Sequence, residues 1–272
     1  MLLFPAFSRR KSCVEDCQVN AVKSDLVELQ ETLYTSKNPT RRWLHTVRRD
    51  WINSALRSCA SHTESTRSIE IGPGAGGYLP LLSELSRRVT AADIELEYLE
   101  HARTVTADLK NLDFVTDDIT RSQLPEGVFD LVLCTEVIEH IADSQAALNG
   151  LKKLLSPDGR LVLSTPQRYS PLELCCKIAF LPGIIDLVRW VYREPIIPTG
   201  HINLLTETEL KRQISEAGFF IEDEYKSGLY LPVIAEAMGG FGLEVEKFLE
   251  RKVRGSCFAW LLWTQYYVLR SR

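Results

Sequence analysis

The chain has 272 residues, 45% of them hydrophobic and 25% charged, with 15 Gly and 12 Pro, a globular make-up that excludes disordered and collagen-like chains. Its 32 Lys and Arg against 36 Asp and Glu give a net charge of -4, so no bulk positive field draws in a polyanion and no nucleic-acid partner is expected. Seven cysteines (Cys13, Cys17, Cys59, Cys134, Cys175, Cys176, Cys257), odd in number and without a C-x-x-C pair, argue against a disulfide framework or zinc site and for a reducing, cytoplasmic setting.

The apolar start, Met1 to Phe7, is short and precedes the basic cluster Arg9, Arg10, Lys11, the reverse of a secretory signal. Val22, Leu26, Leu29 and Leu33 predict a helix over Val14 to Leu33, closed by the polar run before Pro39. Trp43, Leu44, Val47, Trp51, Ile52 and Leu56 predict a second helix from Pro39 to about Ser58, with Arg41, Arg42, Arg48 and Arg49 largely on its solvated face. Residues 1–60 thus read as an N-terminal helical segment ahead of a core over 61–272. In that core, strands at Ser68–Ile71, Val89–Asp93, Asp113–Thr116, Phe129–Thr135 and Arg160–Thr165 alternate with helices at Tyr78–Arg87, Glu95–Leu109 and Ser144–Leu155. Such alternation implies an α/β protein with a parallel sheet and right-handed crossovers. After Pro166 the pattern lapses into an insertion near 167–200, then resumes with a helix at Thr206–Ala217 and strands near Phe219–Tyr225 and Trp260–Leu269. The apolar part of the insertion, Pro171 to Tyr192, is broken by charges, Pro182 and Gly183, and so lacks the roughly 20 uncharged residues of a spanning helix. It reads equally as a lid or as a packed helix pair. If exposed, it suits a lipid-linked acceptor and peripheral membrane contact.

The strongest local signal is Glu70-Ile71-Gly72-Pro73-Gly74-Ala75-Gly76-Gly77, where a strand turns into a helix. Glycines there let backbone N–H groups and the helix start approach a ligand closely. The same residues satisfy the dinucleotide fingerprint, and Asp93 at the end of the next strand fits a ribose-hydroxyl acceptor in either case. Phe114 to Ile119 and Phe129 to Ile141 bring further strand ends to the same sheet edge. His45, His62 and His101 have no convergent partners in the sequence and read as surface or packing residues; Cys175 and Cys176 read as buried thiols.

On these segments the chain resembles the class I S-adenosylmethionine-dependent methyltransferases. The resemblance implies a Rossmann-like class I methyltransferase fold, a mostly parallel seven-stranded sheet with N-terminal helices and an inserted helical cap. It also implies S-adenosylmethionine as cofactor, with Gly72, Gly74 and Gly76 at its methionine part, Asp93 with Ile94 at the ribose, and Asp118 with Ile119 at the adenine. Glu70 is the acidic position of that family's glycine motif, where NAD enzymes usually carry an apolar residue. Within the class, Asn38-Pro39-Thr40-Arg41, Glu136-Val137-Ile138-Glu139-His140, Ser164-Thr165-Pro166-Gln167-Arg168 and Gly200-His201 are similar to the ubiquinone-biosynthesis O-methyltransferases. By that likeness Arg41 and Thr135 also touch the cofactor. Gln167, where the family usually has Asn, and the longer C-terminal part depart from the pattern.

On a helix, Glu136, Glu139 and His140 would share a face at i, i+3 and i+4, two carboxylates and an imidazole beside the donor site. Three readings stand: a divalent-ion site, a metal-free general base at His140 supported by Glu139, or helix capping. In the ubiquinone family and in small-RNA 3′-terminal 2′-O-methyltransferases the element is associated with magnesium or a similar ion. The expected reaction is O-methylation of a small or lipid-like hydroxylated acceptor. Its rivals are N- or C-methylation of a small molecule or sugar, an NAD-binding oxidoreductase, and a binding module without chemistry.

Overall fold

The computed structural model describes residues 33–60, 64–179 and 200–271; the helix expected over Val14 to Leu33, save Leu33 itself, together with His62 and the Phe180 to Tyr192 part of the insertion, lies outside them. The first helix, α1 (Pro39–Cys59), starts where Asn38 accepts hydrogen bonds from the Thr40 and Arg41 N–H groups and Pro39 takes the first helical position. Its apolar stripe buries Leu44, Ile52, Ala55 and Leu56.

The core then runs β1 (Arg67–Ile71), α2 (Leu79–Leu85), β2 (Arg88–Asp93), α3 (Leu96–Val105), β3 (Leu112–Thr116), β4 (Phe129–Thr135), α4 (Ser144–Leu154), β5 (Leu155–Pro166), α5 (Pro171–Ala179), α6 (Glu207–Glu216), β6 (Phe219–Ser227), α7 (Pro232–Ala237), α8 (Gly239–Val253) and β7 (Thr264–Ser271). The strands form a seven-stranded sheet in the order β3-β2-β1-β4-β5-β7-β6. All neighbours are parallel except β7, which runs antiparallel to both β5 and β6.

Both faces of this sheet are covered, as parallel strands require. Alternation along β4 shows how: Val132 and Cys134 join one apolar cluster with Leu148 and Leu151 of α4 and Ile214 of α6. Leu131 and Leu133 point the other way, into a cluster with Ile52 and Leu56 of α1, Leu82 of α2 and Leu99 of α3. The core-facing stripe of α1 is therefore part of the same interior as the sheet. A third, smaller cluster of Leu44, Tyr230, Ala235 and Trp263, with Leu172 of α5 against it, ties α1, α5 and α7 together.

Expected strands and helices agree with those observed to within a few residues, with three exceptions. β5 begins at Leu155, and the last strand begins at Thr264 because Ala259–Leu261 forms a one-turn 3-10 helix instead. The pair α7 and α8 has no counterpart in the sequence reading. No helix among the described residues is long and apolar enough to cross a membrane.

Candidate active site

The sheet order reverses between β1 and β4, and open α/β folds bind ligands at the strand carboxyl ends beside such a reversal. A pocket of about 420 Å³ lies there, lined by Glu70, Gly72, Gly74, Thr135, Glu136, Glu139 and His140. Arg41, His45 and Arg48 of α1, Glu173 of α5, His201, Tyr230 and Trp263 complete it.

On the glycine side the backbone is forced. Gly72 has φ 72°, and a Cβ there would lie 2.4 Å from Val137 Cγ2, so only glycine lets the turn after β1 pass the turn after β4. Gly74 and Gly76 also have positive φ, and the Gly76 N–H closes the turn on the Pro73 carbonyl at 2.7 Å. Glu70 is fully buried beneath this turn, and its Oε2 has no hydrogen-bond partner among the described residues. Burial pushes its carboxyl well above the usual range. An unsatisfied buried acid is costly, and a cationic or hydrogen-bond-donating group of a ligand would satisfy it.

The element Glu136 to His140 is not one helix. Glu136 adopts φ 55°, the one non-glycine residue with positive φ among the described residues, and only Ile138–His140 makes a single 3-10 turn. The shared face expected at i, i+3 and i+4 is therefore absent. Glu136 turns away to Arg48, which donates to its Oε2, while Ser164 Oγ donates to Oε1 at 2.9 Å. The other two members meet His201 instead: one ligand atom from each of Glu139, His140 and His201 lies within 4.8 Å of the others.

Glu139 is buried, accepts from Thr165 Oγ1 at 2.9 Å, and leaves Oε1 without a hydrogen-bond partner among the described residues. Burial and the nearby Glu136 charge raise its carboxyl well above the usual range. Its backbone carbonyl accepts from the Ile202 and Asn203 N–H groups, which holds the 200–203 segment against this turn. His140 Nδ1 lies 3.2 Å from the Gly200 carbonyl, which can only accept, so the proton sits on Nδ1 and Nε2 keeps its lone pair. Burial and His201 hold His140 below the ordinary imidazole value. His201 is oriented in the same way: its Nδ1 meets Glu173 Oε2 at 3.2 Å, and Trp263 Nε1 donates to the other oxygen of Glu173 at 3.0 Å.

Two imidazole nitrogens and one carboxylate oxygen do not fit magnesium, which prefers oxygen ligands in near-octahedral geometry; such a donor set suits first-row transition ions better.

α1 contributes what periodicity concealed. Arg48 is not on a solvated face: it is buried against Glu136, reaches His45 Nδ1 at 3.0 Å and stacks 5.3 Å over Trp263. The Glu136 charge, acting against the desolvation of burial, holds Arg48 firmly protonated. Burial and the Arg48 charge push His45 well below the imidazole range, so this histidine is a neutral pocket wall. Cys176 is half-buried, lines the pocket, and is pushed up to about 11 by burial and by Glu173.

Of the other positions expected to meet the cofactor, Arg41 and Thr135 line the pocket, whereas Gly76, Asp93, Ile94, Asp118 and Ile119 are not among its lining residues. Arg41 lines it while paired with Glu236 at 3.0 Å, and Asp93 ends β2 with Oδ1 accepting from the Glu95 N–H. Ile94 is exposed beside it. Asp118 caps the 3-10 turn Ile119–Arg121, and the Ile119 side chain is buried in the core. Sequence reasoning left out Arg48, Glu173 and Trp263, and quoted His201 only as part of a motif. Tertiary contacts alone bring them to the pocket.

A seven-stranded sheet in this order, with a glycine turn and a buried acid at the reversal, defines a class I S-adenosylmethionine-dependent methyltransferase. The methyltransferase domain family matches residues 17–224, and the chain belongs to that family. It is 31% identical over 189 residues to the mitochondrial ubiquinone biosynthesis O-methyltransferase of Schizosaccharomyces pombe, covering 66% of this chain and 64% of that protein. Against the ubiquinone biosynthesis O-methyltransferase of Aeromonas salmonicida it is 27% identical over 215 residues, 76% of this chain and 83% of that protein. Nodulation protein S of Bradyrhizobium diazoefficiens matches at 29% over 113 residues, 40% of this chain; the chain spans only about half of that relative, 54% of its length. In fold it matches the TehB-like SAM-dependent methyltransferase from Corynebacterium glutamicum with a TM-score of 0.55 at 14% identity, over 93% of this chain and 100% of that one. The YcgJ protein from Bacillus subtilis matches with a TM-score of 0.54 at 16% identity, over 82% and 99%.

Proposed function

We propose that the chain methylates an oxygen of a small or lipid-like hydroxylated acceptor, with the Glu139, His140 and His201 cluster on the acceptor side and Glu70 with the glycine turn on the donor side. The observation that carries this reading is the single pocket that joins the two groups and is walled by Leu44, Leu172, Tyr230 and Trp263. S-adenosylmethionine, when bound, supplies a methyl carbon already activated by its sulfonium, so the protein's task is alignment and removal of one proton. On this reading Thr135, Asp93 with Ile94, and Asp118 with Ile119 position the donor, and Arg41 closes the mouth of its site. His140 Nε2 takes the acceptor's hydroxyl proton as the oxygen bonds to carbon and the carbon–sulfur bond breaks. Glu139 holds the acceptor and the 200–203 segment in place. The names of the ubiquinone O-methyltransferase relatives support oxygen as the nucleophile.

The test is S-adenosylhomocysteine formation across phenols, catechols, polyprenylated phenols and matched amines. Turnover on the hydroxylated set is expected, and turnover confined to amines overturns the reading. Because His140 is held below an ordinary imidazole, which titrates near about 6.5, it is already a free base at neutrality. The rate is expected to be level from neutral pH upward and to fall only as acid protonates that ring, measured as kcat/KM against pH. Magnesium is not expected to be needed: activity should survive EDTA, and loss of activity restored by manganese or zinc, but not magnesium, would instead assign the cluster to a transition ion.

A further inference from the structure

The helix α8 is inside out. Its acids Glu246 and Glu250 are buried, receiving Thr40 Oγ1 and the Leu231 N–H, and the Gly228 and Leu229 N–H groups. Its aromatics face solvent instead: Phe241 is 67% exposed and Phe248, two turns on, 51%. The 254–261 segment that follows adds Phe258 and Trp260, 56% and 43% exposed. Cations are interleaved with these rings. Arg251 and Lys252 are exposed, Lys252 Nζ lies 5.8 Å from the Phe248 ring, and Lys247 is partly exposed beside Glu244.

From this arrangement we propose that the outer face of α8 and the 254–261 segment dock the protein on an anionic lipid bilayer. Exposed Phe and Trp at an interface, with Lys and Arg among them, match the acyl boundary and the negative headgroups respectively. The charge is local to this face, since the whole chain carries -4. A second copy is the rival occupant, and the oligomeric state read in the test separates the two. The same helix holds, through Glu246 and Glu250, the segment that bears the pocket residue Tyr230, so the docked face lies close to the acceptor wall. The proposal does not depend on which acceptor is methylated.

The test uses the purified chain and two vesicle preparations, pure phosphatidylcholine and phosphatidylcholine with one-third phosphatidylglycerol, in a sedimentation assay at low and high salt. Partition to the anionic vesicles is expected, weakened by salt. Phe241→Ser with Phe248→Ser is expected to reduce it about tenfold or more. The charge reversals Lys247→Glu, Arg251→Glu and Lys252→Glu should reduce it by roughly fivefold for each cation removed. Melting temperature and S-adenosylhomocysteine binding report folding, and the charge variants keep the test open should the Phe pair fail it. No partition above the phosphatidylcholine background overturns the proposal. So does unchanged partition in both sets of variants, which would move the contact to another surface, and so does a wild-type dimer in light scattering that the Phe variants dissolve.

Discussion

Replacing Glu139 by Gln together with His140 by Ala is expected to abolish detectable turnover while leaving S-adenosylhomocysteine affinity within about twofold. All of Glu70, Gly72, Gly74, Glu139 and His140 line one pocket, but on the proposed reading the pair serves the acceptor and the other three the donor, so the two properties should separate. A positioned proton acceptor contributes roughly 10²- to 10⁴-fold, and the Glu139 backbone carbonyl that secures the 200–203 segment is kept in the variant. Single-turnover assays beside calorimetric titration read both quantities. Turnover within tenfold of wild type would take these residues out of the chemistry and leave alignment by the pocket as the whole of the catalysis.

The second large effect belongs to Glu70. Glu70→Gln is expected to weaken S-adenosylhomocysteine binding by roughly 10- to 100-fold, the scale of a charge-assisted hydrogen bond to a buried carboxylate. Its pH signature is distinctive. Burial raises the carboxyl, so the empty protein keeps that proton to higher pH than an exposed glutamate would. A ligand ammonium pairs with the ionised form, so wild-type affinity should climb as pH rises through the raised pKa, while the Gln variant, with no proton to lose, stays flat. Stability runs the opposite way. A raised carboxyl contributes fully below its unfolded value, and that contribution is lost as pH rises through the folded one. On the alkaline side the variant should therefore melt at or above the wild-type temperature, and a pH-dependent variant affinity would show that another group carries the effect.

These expectations rest on a site of which the sequence showed one half. The glycine turn and Glu70 were legible because a strand end, a helix start and the residues between them are contiguous, and the chemistry follows from that short stretch. The parallel strands were legible for a similar reason: apolar runs such as Leu131 to Cys134 bury on both faces and stand out from their surroundings. Arg48 was not, since periodicity assigns an arginine off the apolar stripe to solvent, and its partner Glu136 lies 88 residues away. The turn at Glu136 was equally hidden, because a left-handed glutamate has no local signature and is held by Arg48 and Ser164 from elsewhere in the fold. The same limit explains α8: a helix whose buried side carries acids that receive backbone N–H groups looks, by hydropathy alone, like a helix turned the wrong way round. Glu173 is the clearest case. Between Leu172 and Leu174 it reads as a charge interrupting an apolar run, yet it joins α5 to His201 and Trp263.

The two buried acids of α8 also decide how the acceptor wall can change. Glu250 takes two consecutive N–H groups just past the end of β6, those of Gly228 and Leu229, and Glu246 takes that of Leu231 together with the Thr40 hydroxyl at the start of α1. Tyr230 lies between those anchors, so its place in the pocket is set by the length of two side chains that never enter it. α8 is a strut more than a lid: shortening either acid by one methylene would redraw the cavity from behind and shift the range of acceptors with every lining residue left as it is.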